Sequence, residues 1–247
     1  FDPGYTSTAS CESKITFIDG ENSELRHRGH LIQDLAGKHS YLDVCYLLMR
    51  GRLPNPEESK GFDTEIRHRS FLHESVIKIF DAFPAGAHPM ATLGAATMSL
   101  AAIYKDHLNL EDENAFKQMR RRIIAKMPTI AAMAYRNSIG VPMIYPDVDR
   151  YFTENFLYML RAYPGGKMKN LGNGLHEEIK QVEVDALDAI FTLHADHEQN
   201  ASTTTVRAVG STEAHPYVSI ASGIAALWGS AHGGANEKVM DQLKLIG

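Results

Sequence analysis

Apolar residues recur along most of this chain at the three-to-four-residue spacing of an amphipathic helix. The pattern predicts a helix over Tyr41–Met49, closed by Gly51 and Pro54. Pro54, Pro56, Glu57 and Glu58 then open another, with proline in the first turn and acids at the positive end of the helix dipole. Its apolar positions run through Phe62, Ile66, Phe71 and Leu72. His88-Pro89 begins the Ala-rich stretch Ala91–Tyr104. Asp112–Met127 starts acidic and ends in Arg120, Arg121, Arg122 and Lys126. Pro128 is expected to break that helix, leaving Thr129–Arg136 as a separate small-residue helix. Helical spacing returns over Phe152–Tyr163, over His176–His194, over Tyr217–Trp228, and over Glu237–Ile246 through Val239, Met240, Leu243 and Ile246. Strand signal is confined to the first twenty residues, between the turns Asp2-Pro3-Gly4 and Asp19-Gly20. Pro142–Asp149 reads as a loop and Pro164–Gly174 as a flexible linker. The fold class predicted is mainly α with a short N-terminal β-hairpin. The expected layout is a hairpin over 1–22, a helical body over 23–228, and a turn with a closing helix over 229–247.

Composition narrows the function classes. The chain has 247 residues, 44% of them hydrophobic, enough to bury a sizeable core in one large domain or two. A net charge of −5 gives no electrostatic footprint for nucleic acid or an anionic membrane. The most apolar run, Ala91–Tyr104, is shorter than the roughly 20 residues a bilayer span needs. Its alanines and glycine suit close helix packing in the core or at a subunit contact. Two cysteines, Cys11 and Cys45, make no disulfide framework and fit a reduced, cytoplasmic compartment. No signal-peptide pattern opens the chain. It starts at Phe1 without a methionine and is read as a piece of a longer polypeptide. Twelve histidines direct attention to imidazole chemistry.

Two stretches carry candidate chemistry. In LHADHEQNASTTTVR (Leu193–Arg207), His194 and His197 would share a face if they lie on a helix. Three readings compete. A metal pair lacks the third ligand zinc takes. A polar helix C-terminus would lead through Asn200 and Ser202 into a turn. An anion site would turn imidazoles and backbone donors toward a carboxylate substrate. Spacing does not separate the last two. In LWGSAHGGANEKVM, His232 precedes Gly233-Gly234 and a helical pattern, which places it in a glycine-flanked turn at a helix N-terminus. It either bonds a neighbouring carbonyl or does chemistry. The positive end of a helix disfavours a further positive charge, so a neutral imidazole there could donate an N–H to a developing enolate oxygen. Arg67-His68-Arg69 reads as a solvated basic face, and His73 and His88 as residues that satisfy backbone groups at helix ends.

The stretches LHADHEQNAST and GSAHGGAN, with FDPGYTSTASCESKITFIDG and KMPTIAAMAYR, closely resemble citrate synthase of the bacterial hexameric type, over essentially the whole chain. The resemblance implies a helical large domain and a small domain, and an acyltransferase that condenses acetyl-CoA with oxaloacetate and hydrolyses citryl-CoA. No cofactor or metal is implied, since acetyl-CoA is a substrate. By motif, His232 corresponds to the histidine that bonds the acetyl thioester carbonyl and stabilises its enol. His197 corresponds to a histidine that binds oxaloacetate, with His194 its neighbour. The family's proton-removing aspartate, its second catalytic histidine in a G-H-R motif, and its carboxylate-binding arginines all follow AHGGAN. These 247 residues are therefore expected to be most of the large domain and not to turn over alone. An NADH site between subunits is a further implication, with Arg69, Tyr104, Arg122 and Lys126 matching its polar members. Arg69 stands where a histidine is usual and Phe71 where a methionine is. The Ala-rich helices at 91–104 and 129–136 resemble the family's subunit-packing helices, which implies a homodimer or hexamer.

Two alternatives stand beside this expectation. One is 2-methylcitrate synthase, which takes propionyl-CoA. The other is a non-catalytic helical assembly module derived from such an enzyme.

Overall fold

The computed structural model describes Ala9 and residues 11–105, 112–163 and 178–246. Three strands, β1 (Thr16–Asp19), β2 (Glu24–His27) and β3 (His30–Leu31), form an antiparallel sheet in the order β1-β2-β3. The helices are α1 (Ile32–Leu35), α2 (Tyr41–Arg50), α3 (Pro56–His68), α4 (Glu74–Asp81), α5 (Pro89–Ile103) and α6 (Glu113–Ser138). They continue with α7 (Phe152–Arg161), α8 (Gln181–Leu193), α9 (Ala201–Gly210), α10 (Pro216–Leu227) and α11 (Gly234–Ile246). The linker expected over Pro164–Gly174 lies outside the described residues. Among the described residues no helix is long and apolar enough to cross a membrane.

The mainly helical expectation holds, and the structure revises four details. The sheet runs to Leu31, past the hairpin expected over 1–22. The extra strand hangs on a two-residue turn, Arg28-Gly29, in which both residues have positive φ (50° and 89°). The strained Arg28 is held by its guanidinium, which donates to the Leu48 carbonyl at 2.9 and 3.2 Å. Second, Pro128 does not break the chain into two helices. It lies inside the 26-residue α6. Proline removes one ladder bond, but the residues around it are anchored. Thr129 donates to the Ser70 carbonyl at 2.9 Å, Lys126 donates to the carbonyls of Arg69 and Phe71, and Thr129, Ile130, Ala132 and Met133 are fully buried. Tertiary packing overrides the local preference. Third, the apolar series Phe62–Leu72 is interrupted after His68, and a separate helix, α4, begins at Glu74. Fourth, Arg67 is no solvated side chain. It pairs with Asp63 at 2.8 Å, donates to the Val148 carbonyl at 2.6 Å, and lies over the Tyr151 ring.

The chain divides into two compact units. The first holds residues 1–71, 124–133 and 142–198: the sheet, α1–α3, α7, α8 and the middle of α6. Among the described residues its core includes apolar clusters around Leu42–Phe62–Ile66, Ile144–Met159, and Leu35–Val44–Leu47. Asp188 on α8 ties two helix starts together, accepting from the Tyr41 N–H at 2.8 Å and the Thr153 hydroxyl at 2.5 Å. The second unit holds residues 72–123, 134–141 and 199–247. Its centre is α10, which packs against both α5 and α9.

The start of α3 carries a capping box. Asn55 accepts from the Glu58 N–H, and Glu58 accepts from the Asn55 N–H, each at 2.9 Å. Arg52 adds a two-pronged pair to the same carboxylate at 2.6 and 2.8 Å. These bonds, Arg52 first, hold the Glu58 carboxyl down at about 2, against an ordinary 4.5. A depressed acid stabilises the fold above its ordinary pKa and loses that contribution as pH falls through the folded value. The difference in thermal midpoint between the wild type and Glu58→Gln should therefore be largest near neutral pH. It should narrow as pH falls from about 4.5 toward 2, as followed by circular dichroism. A pH-independent difference would show that the charge of Glu58 contributes nothing.

Candidate active site

His232 lies in the turn that joins α10 to α11, as the glycine pattern predicts. The chain leaves α10 at Trp228 and folds back on itself. The His232 N–H donates to the Gly229 carbonyl at 2.9 Å, and the Gly233 N–H to the Leu227 carbonyl at 3.0 Å. Gly233 presses so closely on that carbonyl that a Cβ would meet its oxygen at 2.3 Å. Only glycine fits this reversal. The imidazole is half-buried, and its Nε2 lies 2.9 Å from the Ser202 hydroxyl in the first turn of α9. Ser202 also reaches the Gly223 carbonyl at 3.0 Å. A hydroxyl carries one proton. Given to Gly223, it leaves Nε2 as the donor and Nδ1 bare. Given to Nε2, it leaves the N–H on Nδ1. Ser202 thus controls which ring nitrogen of His232 can donate.

The contact exists because α9 and α10 approach at a glycine. A Cβ on Gly223 would stand 2.6 Å from Val206 Cγ2 and 3.3 Å from the Ser202 carbonyl oxygen. Beside the turn, the Trp228 ring faces His88 at 5.0 Å between centroids, and His88 Nε2 lies 3.6 Å from Glu237. His88 also caps α5, accepting from the Met90 N–H, just as His73 caps α4 by accepting from the Ser75 N–H. The expected helix-end role of both histidines is what the structure shows.

The HADHE stretch is not helical, so His194 and His197 do not share a helix face. α8 ends at Leu193, and His194 is its C-cap, with Nδ1 at 2.8 Å from the Ile190 carbonyl. His197 is exposed in the following turn, beside Glu198 at φ 55°. Asn200 then opens a helix by capping α9 through the Thr203 N–H, where a turn was expected. His194 and His197 belong to the first unit and His232 to the second.

The four regulatory candidates fall into two pairs. In the first unit, Lys126 is 5% exposed and donates to the Arg69 carbonyl at 3.0 Å, while Arg69 pairs with Glu65 at 2.9 Å. In the second, Arg122 lies over the Tyr104 ring at 4.0 Å and reaches the Tyr217 hydroxyl at 3.4 Å. Sequence spacing gave no notice of Ser202 as the partner of His232, because thirty residues separate them. Among the described residues no group of three or more His, Cys, Asp or Glu side chains could hold a metal ion.

Comparison with known proteins matches this helical architecture to those of solved citrate synthases. The chain superposes on citrate synthase from Pyrobaculum aerophilum with a TM-score of 0.85 at 32% identity, covering 99% of this chain and 59% of that one. It has the fold of citrate synthase from Thermoplasma acidophilum, solved as a ternary complex with carboxymethyl coenzyme A and oxaloacetate (TM-score 0.85, 24% identity, 100% of this chain and 61% of that one). Residues 4–247 match the family model described as the citrate synthase C-terminal domain, and the chain belongs to the citrate synthase family. It is 54% identical over 248 aligned residues to a citrate synthase of Helicobacter pylori, covering 100% of this chain and 58% of that relative. The chain thus spans about three-fifths of the relatives it matches.

The Gly223 approach can be tested directly. Gly223→Ala should destabilise the protein by about 1–3 kcal/mol in chemical denaturation, because a β-branched Val206 on a helix has little freedom to swing aside. Adding Val206→Ala should recover most of the loss. An unchanged midpoint for Gly223→Ala alone would contradict the observed packing.

Proposed function

We propose that the complete protein is a citrate synthase, condensing acetyl-CoA with oxaloacetate and hydrolysing the citryl-CoA formed. The observation that carries this reading is the Ser202–His232 pair in its glycine-built turn, within a chain of this family. When Ser202 turns its one proton from the Gly223 carbonyl to Nε2, Nδ1–H donates to the thioester oxygen as negative charge builds there, the methyl proton passing to the aspartate that the family resemblance implies. A donor already in place costs no reorganisation at that moment. The enol carbon then attacks the oxaloacetate carbonyl, and the exposed His197 is the residue assigned to hold that substrate. His194, bonded to its own helix end, is the weaker substrate contact.

The test is steady-state kinetics on the complete protein with oxaloacetate and either acetyl-CoA or propionyl-CoA. Acetyl-CoA should be the better substrate by kcat/KM. His232→Ala should lower kcat by roughly 10²–10³, the scale for losing one donor to a developing oxyanion. His197→Asn should chiefly raise the oxaloacetate KM. A preference for propionyl-CoA would reassign the activity to methylcitrate formation. Full turnover by His232→Ala would remove it from the mechanism.

A further inference from the structure

A buried polar chain beneath the His197 turn has no part in the chemistry just proposed. Thr16 on β1 and His27 on β2 are directly paired across the sheet, so their side chains share a face. His27 is fully buried, and its Nδ1 lies 3.0 Å from the Thr16 hydroxyl oxygen. That hydroxyl donates to Asp196 Oδ2 at 2.5 Å, across 180 residues of sequence. The same Oδ2 accepts the Glu198 N–H at 3.2 Å, a bond that closes the backbone around His197. Ala195, on the other side, packs on the Leu35–Val44–Leu47 cluster. The turn presenting His197 is thus clamped at Ala195, Asp196 and Glu198.

The protons in this chain have one consistent arrangement. An ionised carboxylate only accepts, so Thr16 gives its single hydrogen to Asp196. The Thr16 oxygen is then an acceptor toward His27, so His27 carries its hydrogen on Nδ1. Its Nε2 is then bare, a buried acceptor with no hydrogen-bond partner. Burial also lowers the His27 pKa, against an opposing pull from Asp196. His27 is a neutral donor in one tautomer, and it leaves the Thr16 hydroxyl a single direction.

We infer that His27 and Thr16 are positioning residues for oxaloacetate binding: the directed chain from His27 through Thr16 to Asp196 sets the pose of His197. The inference rests on the assignment of His197 to oxaloacetate. It is tested on the complete protein by measuring the KM of each substrate and the thermal midpoint for five variants. Thr16→Val keeps the shape and removes the hydroxyl, and His27→Phe keeps a ring and removes the donor. Thr16→Ser and His27→Asn retain them, the asparagine amide nitrogen standing near the place of Nδ1. His197→Asn is the reference. Thr16→Val and His27→Phe should raise the oxaloacetate KM roughly tenfold, as small misplacements of a binding group do, and leave the acetyl-CoA KM unchanged. Thr16→Ser and His27→Asn should stay close to wild type. The inference is overturned if Thr16→Val leaves the oxaloacetate KM unchanged while His197→Asn raises it, in which case His197 keeps its role without the relay. It is equally overturned if both substrates' KM values move together, or if the conservative variants are as impaired as the others. If His197→Asn itself leaves the oxaloacetate KM unchanged, both the assignment and the relay fall.

Discussion

The second unit depends on how closely α10 can lie on α9. Gly223 supplies the room, for any side chain there would meet Val206 and the Ser202 backbone. Ser202 and Val206 are four residues apart on α9 and so lie on one face. The face that packs under α10 is therefore the face that carries the hydroxyl. The helix-to-helix distance then becomes a hydrogen-bond distance: Ser202 reaches Gly223 on α10 and His232 in the turn beyond it. Gly233 sets a second limit, since the chain must cross the Leu227 carbonyl without a Cβ to bring the imidazole back over α9. The position of His232 follows from two missing side chains as much as from any side chain present.

Part of the abundance of histidine has an architectural origin. In α4, α5 and α10 the residue before the helix is a histidine whose Nδ1 accepts a backbone N–H of the first turn. This duty usually falls to Ser, Thr, Asp or Asn, which elsewhere in the chain cap α2, α3, α6 and α9. A ring nitrogen can accept only when it is unprotonated, so these caps work in the neutral form. In α5 and α10 a proline follows the capping histidine. His88-Pro89 is legible in the sequence as a helix start, and His215-Pro216 is seen afterwards to be another, the proline needing no N–H partner there.

What the sequence made legible follows the range of the forces involved. Helices such as α2, α5, α7, α8 and α10 were readable because their apolar spacing and end signals are local. Pro128 misled because its cost is local while the compensation comes from Ser70, Arg69 and Phe71, more than fifty residues away. The break between α3 and α4 was missed because Phe71 and Leu72 continue an apolar series in register, though Phe71 is exposed. At the site, glycines announced the turn of His232, a local fact. The partners that orient it and the His197 turn lie 30 and 180 residues away, and nothing in the spacing points to either.

The two units handle a critical histidine by the same means, a hydroxyl on a regular element. Ser202 on α9 faces His232, and Thr16 on β1 faces His27. A carboxylate in direct contact would also orient an imidazole, but it would stabilise the imidazolium as well, as the aspartate of a serine-protease triad does. A hydroxyl supplies direction without adding charge. Under the role proposed for His232, donation of a hydrogen bond to a developing enolate, that difference matters, because a cation would invite full proton transfer in place of a hydrogen bond. In the first unit a carboxylate is present, yet Thr16 stands between it and the ring, so Asp196 receives the hydroxyl proton while His27 retains its own on Nδ1. Placing the charge one bond further away lets the same aspartate close the His197 turn without converting the buried ring to a cation.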